Sequence, residues 1–427
     1  MSFFITSDDS QLNESRQAFN TEDMNQSDKP IADEYWMRRL WAWADANGVY
    51  DYDYYYDDCY YRGIPRDSKK LLGLSQLALV DCRFSELPPE IGYLTQLKKI
   101  VIRNKEFSEY LPESDNLAQL TESEIWNNKP SEPPSDIIDI KKLSMFTLDE
   151  NSLTELPESY NSTQLTELEV WNNHSPEWPS ETNNLIKLSI IERYESSSTK
   201  IPPEIGNLKE LEVLILDGNS LTQLPPEIGN LKKLKKLDLS GNCLTELPPE
   251  IGNCTELYDL NLSGNQLTEL PPGIGNWTGL ICIDLNGNRL TELPPEIGNW
   301  TELSWIDLSG NHLTEFPLVI GNWTGLYDLN LSRNQLNRIT ARDRNWTELS
   351  WIDLSGNRLT ELPPEIGNWT ELSRIDLSGN RLTEFPLVIG NWTGLYNLNL
   401  SGNQLTGLPP EVGNLTELYD LNLSGTS

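Results

Sequence analysis

The sequence predicts an α/β solenoid, a curved stack of short repeats whose strands form one parallel β-sheet on the concave face. Two observations lead to this prediction. An asparagine recurs in one phase with a step of 23 residues, and leucines recur around it in a constant frame. The hydrophobic content of 37% is also lower than a compact globular protein usually carries, so internal repeats are the first pattern to search for.

The asparagine column defines nine regular units. Residues 208–230 show their frame, Leu-x-x-Leu-x-x-Leu-x-Leu-x-x-Asn-x-Leu-Thr-x-Leu-Pro-Pro-x-Ile-Gly-Asn. Alternating leucines such as Leu214 and Leu216 are expected to point from a short strand into the coil. The asparagine amide can bond both N–H and C=O groups where the chain leaves the strand. The column comprises Asn219, Asn242, Asn265, Asn288, Asn311, Asn334, Asn357, Asn380 and Asn403.

Three segments are expected along the chain. Residues 1–30 are polar and acidic and are predicted to be disordered, and residues 31–68 are predicted to form a helical N-terminal cap. Residues 69–427 are predicted to form the repeat domain, with irregular repeats at about 105–200 and regular repeats at 208–427. This division gives fifteen units and a shortened sixteenth. At about 4.8 Å per strand the stack would be on the order of 70 Å long.

The predicted cap begins with a helix. Trp36, Leu40 and Trp43 recur at helical spacing, and Asn47-Gly48 favours the end of the helix. Residues 50–61 follow, with seven tyrosines among four aspartates. We interpret them as a solvated acidic loop, and the alternative is an adhesive arm for a basic partner, in which the aromatic rings add contact area.

The strand positions between the core leucines predict the inner face. The column between the two strand leucines is a ladder of Asp and Asn, whereas the columns two and three residues before it vary in size and charge. Variation against a constant frame is typical of a recognition surface, although drift at a tolerant position would look similar. The residues that we expect to bind a partner are Tyr258, Asp284, Trp305, Asp307, Tyr327, Asn330, Trp351, Asp353, Arg374, Asp376, Tyr396, Asn399 and Tyr419.

A second tryptophan column takes the phase that leucine occupies in earlier units, so we predict that it is buried in the core and binds no ligand. It comprises Trp277, Trp300, Trp323, Trp346, Trp369 and Trp392. Residues 277–345 and 346–414 match at most positions, which indicates a duplicated block of three repeats. The basic spot of Arg333, Arg338, Arg342 and Arg344 indicates decay of one copy, or else a site for an anionic patch of a partner.

The run Leu-Thr-Glu-Leu-Pro-Pro-Glu-Ile-Gly-Asn occurs at 244–253, 290–299 and 359–368. It resembles the intracellular Ras-group leucine-rich repeats and their bacterial relatives, and the resemblance covers roughly residues 69–427. The resemblance implies a leucine-rich repeat horseshoe that serves as a protein-binding scaffold, in which partners commonly contact the concave sheet. It transfers no catalytic residue to this chain.

The sequence contains none of the common catalytic motifs. The sequence has no G-x-x-x-x-G-K-[ST] phosphate loop, and neither His174 nor His312 lies in an H-E-x-x-H or G-x-S-x-G motif. The five cysteines are scattered without metal-ligand spacing, so we expect reduced thiols, no metal and no cofactor. Without a signal peptide or an apolar span, the sequence predicts a cytoplasmic protein, with secretion by a non-Sec route left open.

The charge pattern limits the partners. The 65 acidic and 32 basic side chains give a net charge of −33, which disfavours nucleic acid and anionic membrane. We therefore predict a non-enzymatic scaffold that binds a protein or peptide with a basic surface on its concave face. The alternatives are a structural solenoid that associates end to end through its last strand, and a secreted bacterial effector that binds a host protein.

Overall fold

The computed structural model describes residues 31–49, 51, 53–55, 60–80, 82, 84, 87–103, 120–126, 145–149, 166–171, 187–194, 198–315, 322–339 and 346–426. The segment predicted to be disordered, residues 1–30, lies outside them. The helices are α1 (Ile31–Ala46) and α2 (Ser68–Leu72). The strands are β1 (Asp53–Tyr55), β2 (Tyr60–Arg62), β3 (Gln76–Val80), β4 (Lys99–Arg103), β5 (Glu122–Trp126), β6 (Met145–Asp149), β7 (Glu167–Trp171), β8 (Ile190–Tyr194), β9 (Val213–Ile215), β10 (Lys236–Asp238), β11 (Asp259–Asn261), β12 (Cys282–Asp284), β13 (Trp305–Asp307), β14 (Asp328–Asn330), β15 (Trp351–Asp353), β16 (Arg374–Asp376), β17 (Asn397–Asn399) and β18 (Asp420–Asn422).

The strands β3 to β18 form one sheet. In the described part of the chain this sheet has 16 parallel strands in strict chain order, which confirms the predicted solenoid. Each strand pairs with the strand one repeat away, as Leu237 does with Leu260. The step shortens by one residue between β6 and β7, where Met145 pairs with Glu167. Short 3-10 helices such as Pro226–Asn230 form the return side of the regular repeats.

The leucine frame forms the core. Leu214, Leu216 and Ile228 are buried, as the alternation predicts. The asparagine column is buried beside them, and each amide bonds backbone groups of two neighbouring repeats. The Nδ2 of Asn288, for example, donates to the carbonyl of Leu262 at 2.9 Å, and its Oδ1 accepts from the N–H of Leu267 at 3.0 Å. This double role confirms the predicted function of the repeat asparagine.

The tryptophan column lies in the core, as predicted. Trp277, Trp300 and Trp323 are buried, and their successive rings stack with centroids 6.4 and 6.1 Å apart. Each indole N–H also donates to a carbonyl of the preceding repeat, at 2.9 Å from Trp323 to Ile297. Neighbouring strands are only about 4.8 Å apart, so the stack is wider at the tryptophans than at the sheet. The sheet therefore lies on the concave side of a curved solenoid.

The N-terminal helix covers the first repeat. Trp36 of α1 stacks on Tyr93 with ring centroids 5.3 Å apart, and Trp43 meets Phe84 edge to face at 5.2 Å. The Nε of Arg39 lies 2.9 Å from a carboxylate oxygen of the buried Glu90. These contacts shield the apolar residues of the first repeat from water. Part of the tyrosine-rich segment forms a short hairpin, in which β1 pairs antiparallel with β2.

Candidate protein-interaction surface

Two columns of side chains form the concave face. In β12 to β15 and in β17 the middle residue is buried in the core, and the first and third residues are half-buried on the open face of the sheet. The predicted binding residues occupy these open positions. Trp305, Trp351 and Arg374 are first residues, and Asp284, Asp307, Asn330, Asp353, Asp376 and Asn399 are third residues. The third residues form a continuous row, because their strands are neighbours in the sheet.

The four predicted tyrosines stand immediately before β11, β14, β17 and β18 and are exposed. Tyr258, Tyr327 and Tyr396 are each three strands apart, a separation of about 14 Å. They therefore form no continuous aromatic patch. Tyr396 and Tyr419 are neighbours, since the N–H of Tyr419 donates to the carbonyl of Tyr396 at 2.9 Å. From β11 to β18 the predicted set spans about 34 Å, so one small ligand cannot contact all of it.

Two aspartates of the predicted binding set are part of the hydrogen-bond framework of the ladder. The Oδ1 of Asp307 accepts from the N–H of Ser309 at 2.7 Å, and its Oδ2 accepts from the Nδ2 of Asn330 at 2.8 Å. Asp376 is held in the same way by Ser378 and Asn399, at 2.8 Å in both cases. These carboxylates stabilise the turn that follows the strand, and they also face solvent.

Asp284 and Asp353 lack the cross-strand amide. The Oδ1 of Asp353 accepts from the N–H of Ser355 at 2.8 Å, but the next residue in the row is the like-charged Asp376. Burial raises the pKa of Asp353, and the nearby carboxylate of Asp376 adds to the effect. The pKa of Asp284 is raised for the same reasons, first by burial and then by Asp307. Within the described residues, none of the four aspartates Asp284, Asp307, Asp353 and Asp376 forms an ion pair.

A group of lysines lies next to β10, on the N-terminal side of the acidic strands. Lys235 pairs with Glu212 at 2.7 Å, and Lys236 pairs with Asp259 at 3.1 Å. The exposed Lys233 beside them pairs with Glu210 at 2.5 Å. Lysines thus balance part of the acid at β9 to β11, whereas the described aspartates of β12 to β16 form no ion pair. The sequence analysis missed this division, although the lysine run at 232–236 and its acidic partners one repeat away were visible in the sequence.

Asp328 also belongs to this surface, and the sequence analysis did not select it. It is the first residue of β14 and lies between Trp305 and Trp351 in the same column. Burial raises the pKa of Asp328. The Nε1 of Trp351 is buried, and the described residues provide no acceptor for it.

The remaining features contribute little to a site. Arg333 has a left-handed backbone with φ of 56°, and Arg338 lies 3.5 Å from Glu315 in an exposed ion pair. The other two members of the predicted basic spot, Arg342 and Arg344, lie outside the described residues. In the described ranges no group of three or more His, Cys, Asp or Glu side chains could hold a metal, and no helix could cross a bilayer.

Comparisons with known proteins agree with this architecture. The leucine-rich repeat region family matches residues 178–264 and 204–280, and the leucine rich repeat family matches residues 255–313 and 347–405. A search of the curated proteins found no match.

Among solved structures, a leucine-rich repeat protein of Leptospira interrogans is 31% identical with a TM-score of 0.74, and the alignment covers 84% of this chain and 92% of that one. An internalin of Listeria monocytogenes is 21% identical with a TM-score of 0.59, and covers 67% of this chain and 82% of its own. The Drosophila Toll–Spätzle complex in glycosylated form contains a chain that is 21% identical with a TM-score of 0.68, and covers 83% of this chain and 50% of that one.

Proteins with this fold are generally protein-interaction modules and typically non-enzymatic. The Leptospira relative matches over nearly its whole length, and the leucine frame, the asparagine column and the parallel sheet agree with it. The chain belongs to the leucine-rich repeat proteins.

Proposed function

We propose that this protein is a non-enzymatic scaffold that binds a protein or peptide with a basic surface on the concave face of β12 to β17. The observation that carries the proposal is the row of Asp284, Asp307, Asp353 and Asp376, four carboxylates that form no ion pair among the described residues. Like charges on opposed strand positions destabilise a sheet, and a cationic partner would remove that cost. Its opposite charge would also speed association and make binding sensitive to salt.

The contrast with the neighbouring strands supports the same proposal. At β9 to β11 the chain neutralises its own acid with lysines, as in the ion pair of Lys235 and Glu212. At β12 to β16 the only cation in the two concave columns is Arg374, and no ion pair joins it to the described aspartates. We further propose that the repeats are of the 23-residue type found in Ras-group and bacterial proteins, and that the protein acts in the cytoplasm.

A salt-dependent capture experiment tests the proposal. Immobilised wild type is compared with the triple variant Asp284→Asn, Asp353→Asn, Asp376→Asn, and captured proteins are identified at low and high salt. Asparagine is the appropriate replacement, because Asn330 accepts the same backbone bond, from the N–H of Ser332 at 3.0 Å. The variant should therefore keep the backbone bonds of its turns; besides the three charges it loses one side-chain bond, the one from Asn399 to Asp376.

The matched control removes equal charge elsewhere, through Glu269→Gln, Glu292→Gln and Glu361→Gln on exposed loop positions. We expect one set of basic proteins to be captured by the wild type and the control, released by salt, and lost by the concave variant. Equal loss in the control and the concave variant would refute the proposal. Light scattering checks the alternative of end-to-end association, which a concentration-dependent mass would favour.

A further inference from the structure

The first residues of β11, β14 and β17 occupy equivalent positions, three repeats apart, on the concave face. The hydrogen-bonding partner of the side chain differs among the three. In the first copy Asp259 pairs with the ammonium of Lys236 at 3.1 Å. In the third copy Asn397 donates from its Nδ2 to Asp420 at 2.9 Å. In the middle copy the residue is Asp328, whose carboxylate has no hydrogen bond or ion pair among the described residues. The chain supplies a partner at this position twice and omits it once.

The residues beside Asp328 replace that partner with aromatic rings. Trp305 stands where the first copy has Lys236, and Trp351 stands on the other neighbouring strand. Neither indole stacks on another aromatic ring in the described part of the chain. Two tryptophans thus flank one unpaired carboxylate on a half-buried floor.

The spacing of the strands that carry Trp305 and Trp351 fits one planar group between their side chains. Their strands are two steps apart, about 10 Å at the backbone. On the outer side of the curve the buried tryptophans are 5.7 to 6.4 Å apart per step, so side chains on the inner side converge by a comparable amount. Side chains that project straight from these two strands would then lie about 7 to 8 Å apart. A flat group in van der Waals contact with both rings needs about 7 Å.

We propose that Trp305, Asp328 and Trp351 form a receptor for a single arginine side chain of the protein partner. The inference rests on the proposed function, and it identifies the group that is recognised. A guanidinium is planar, stacks on indole faces and presents a fork of N–H donors to a carboxylate, whereas an ammonium can only act as a point charge. Tyr327, which is 54% exposed immediately before Asp328, adds an aromatic rim.

Arg374, the next described residue of this column after Trp351, forms no ion pair with the carboxylate of the receptor. Arg374 follows Trp351 in the column and lies on the far side of that indole from Asp328. No ion pair joins Arg374 to Asp328, so the carboxylate is available to an arginine from outside.

Fluorescence polarisation with a fluorescein-labelled Gly-Arg-Gly-Arg-Gly amide tests the receptor at low salt. Two further probes replace both arginines with lysine or with citrulline, which keeps the planar shape without the charge. The variants are Asp328→Asn, which copies Asn397, and Trp305→Lys, which copies Lys236 and should pair internally with Asp328. The control is Asp259→Asn, which removes one charge from a carboxylate that is already paired. Circular dichroism checks that each variant is folded.

We expect Asp328→Asn and Trp305→Lys to weaken the arginine peptide by about tenfold, and Asp259→Asn to change it by less than about twofold. The lysine and citrulline peptides should bind the wild type more weakly than the arginine peptide. The inference is overturned if citrulline binds as well as arginine, if Asp328→Asn behaves like Asp259→Asn, or if the wild type does not bind the arginine peptide.

The outcomes for the two proposals are separable. If the triple variant of the Asp row loses its basic partners while Asp328→Asn and Trp305→Lys bind the peptide normally, the receptor is wrong and the proposed function stands. If the triple variant keeps its partners, the proposed function fails.

Discussion

The substitution Asn288→Ala tests how the repeat asparagine holds the concave sheet in shape. Asn288 is buried, and its Oδ1 is the acceptor for the N–H of Leu267, a residue with no exposed surface. Its Nδ2 donates to three carbonyls, those of Leu262 at 2.9 Å, Leu285 at 3.1 Å and Asn286 at 3.4 Å. Alanine removes all four bonds.

The cost can be assigned to one group. The carbonyls of Leu262 and Leu285 each keep another asparagine as donor, and the carbonyl of Asn286 keeps the N–H of Gly264 at 2.8 Å. Only the N–H of Leu267 loses its acceptor. An orphaned buried N–H costs about 1 to 3 kcal/mol, and each lost bond with a surviving partner costs about 0.5 to 1 kcal/mol at most. The free energy of unfolding should fall by about 2.5 to 6 kcal/mol.

Two measurements check this value. Urea unfolding gives the overall loss, and hydrogen exchange at the Leu267 amide should show the largest local increase, because a solenoid can open a few repeats at a time. The control is Asn299→Ala, an exposed asparagine with one side-chain bond, to the carbonyl of Gly275 at 3.2 Å. If the two variants lose equal stability, or if exchange at Leu267 is unchanged, the assignment is wrong.

Two further substitutions should stabilise the protein. Arg333 has φ of 56° where Gly310 and Gly356 occupy the equivalent turns, so Arg333→Gly should raise the free energy of unfolding by about 1 kcal/mol, and a decrease in urea unfolding would contradict this. Asp353→Asn keeps the acceptor for the N–H of Ser355 and removes a buried charge, so it should gain about 0.2 to 1 kcal/mol at pH 7. The raised pKa of Asp353 contributes stability that is fully present below the ordinary value of 3.8 and is lost as the pH rises through the higher pKa of the folded state. The advantage of the variant should therefore vanish in urea unfolding below pH 3.8.

The core could be predicted well from the sequence, because burial restricts each of its positions to apolar residues. The leucines of the frame and the six tryptophans of the outer column recur in a fixed phase, and the phase alone separates inward from outward side chains. In the irregular repeats the 23-residue phase is lost, and the sequence no longer predicts which side chains are buried. Arg193 is buried at a core position of β8, and burial lowers the pKa of its guanidinium to about 10.

The surface was predicted less completely, for a different physical reason. The period identifies which columns face outward, but the chemistry of a column depends on pairs formed across strands. The bond from Asn330 to Asp307 and the ion pair of Lys236 with Asp259 each join residues one repeat apart. Within its own column every aspartate of the ladder has the same sequence environment, so the sequence does not distinguish their hydrogen-bond partners. The structure distinguishes those held by an amide from those beside another carboxylate.

The hairpin of β1 and β2 shows the same limit at the N-terminus. Alternating tyrosine and aspartate is a strand pattern, but the charge of the segment favoured a loop. The antiparallel pairing of residues 53–55 with residues 60–62 lies outside the repeats. The 23-residue period therefore gives no information about it.

The cost of the unpaired acid distinguishes recognition from drift on this face. Positions in the third column are constrained, because their side chains accept backbone bonds such as that from Ser309 to Asp307. The first-column carboxylate of Asp328 makes no such bond, so drift at this position could have removed its charge freely, and Asn397 shows that an amide fits there. A half-buried carboxylate without a partner lowers stability, and Asp328 has that cost on the strand between Trp305 and Trp351. Binding of a cationic side chain gives this arrangement a physical reason, and drift gives it none.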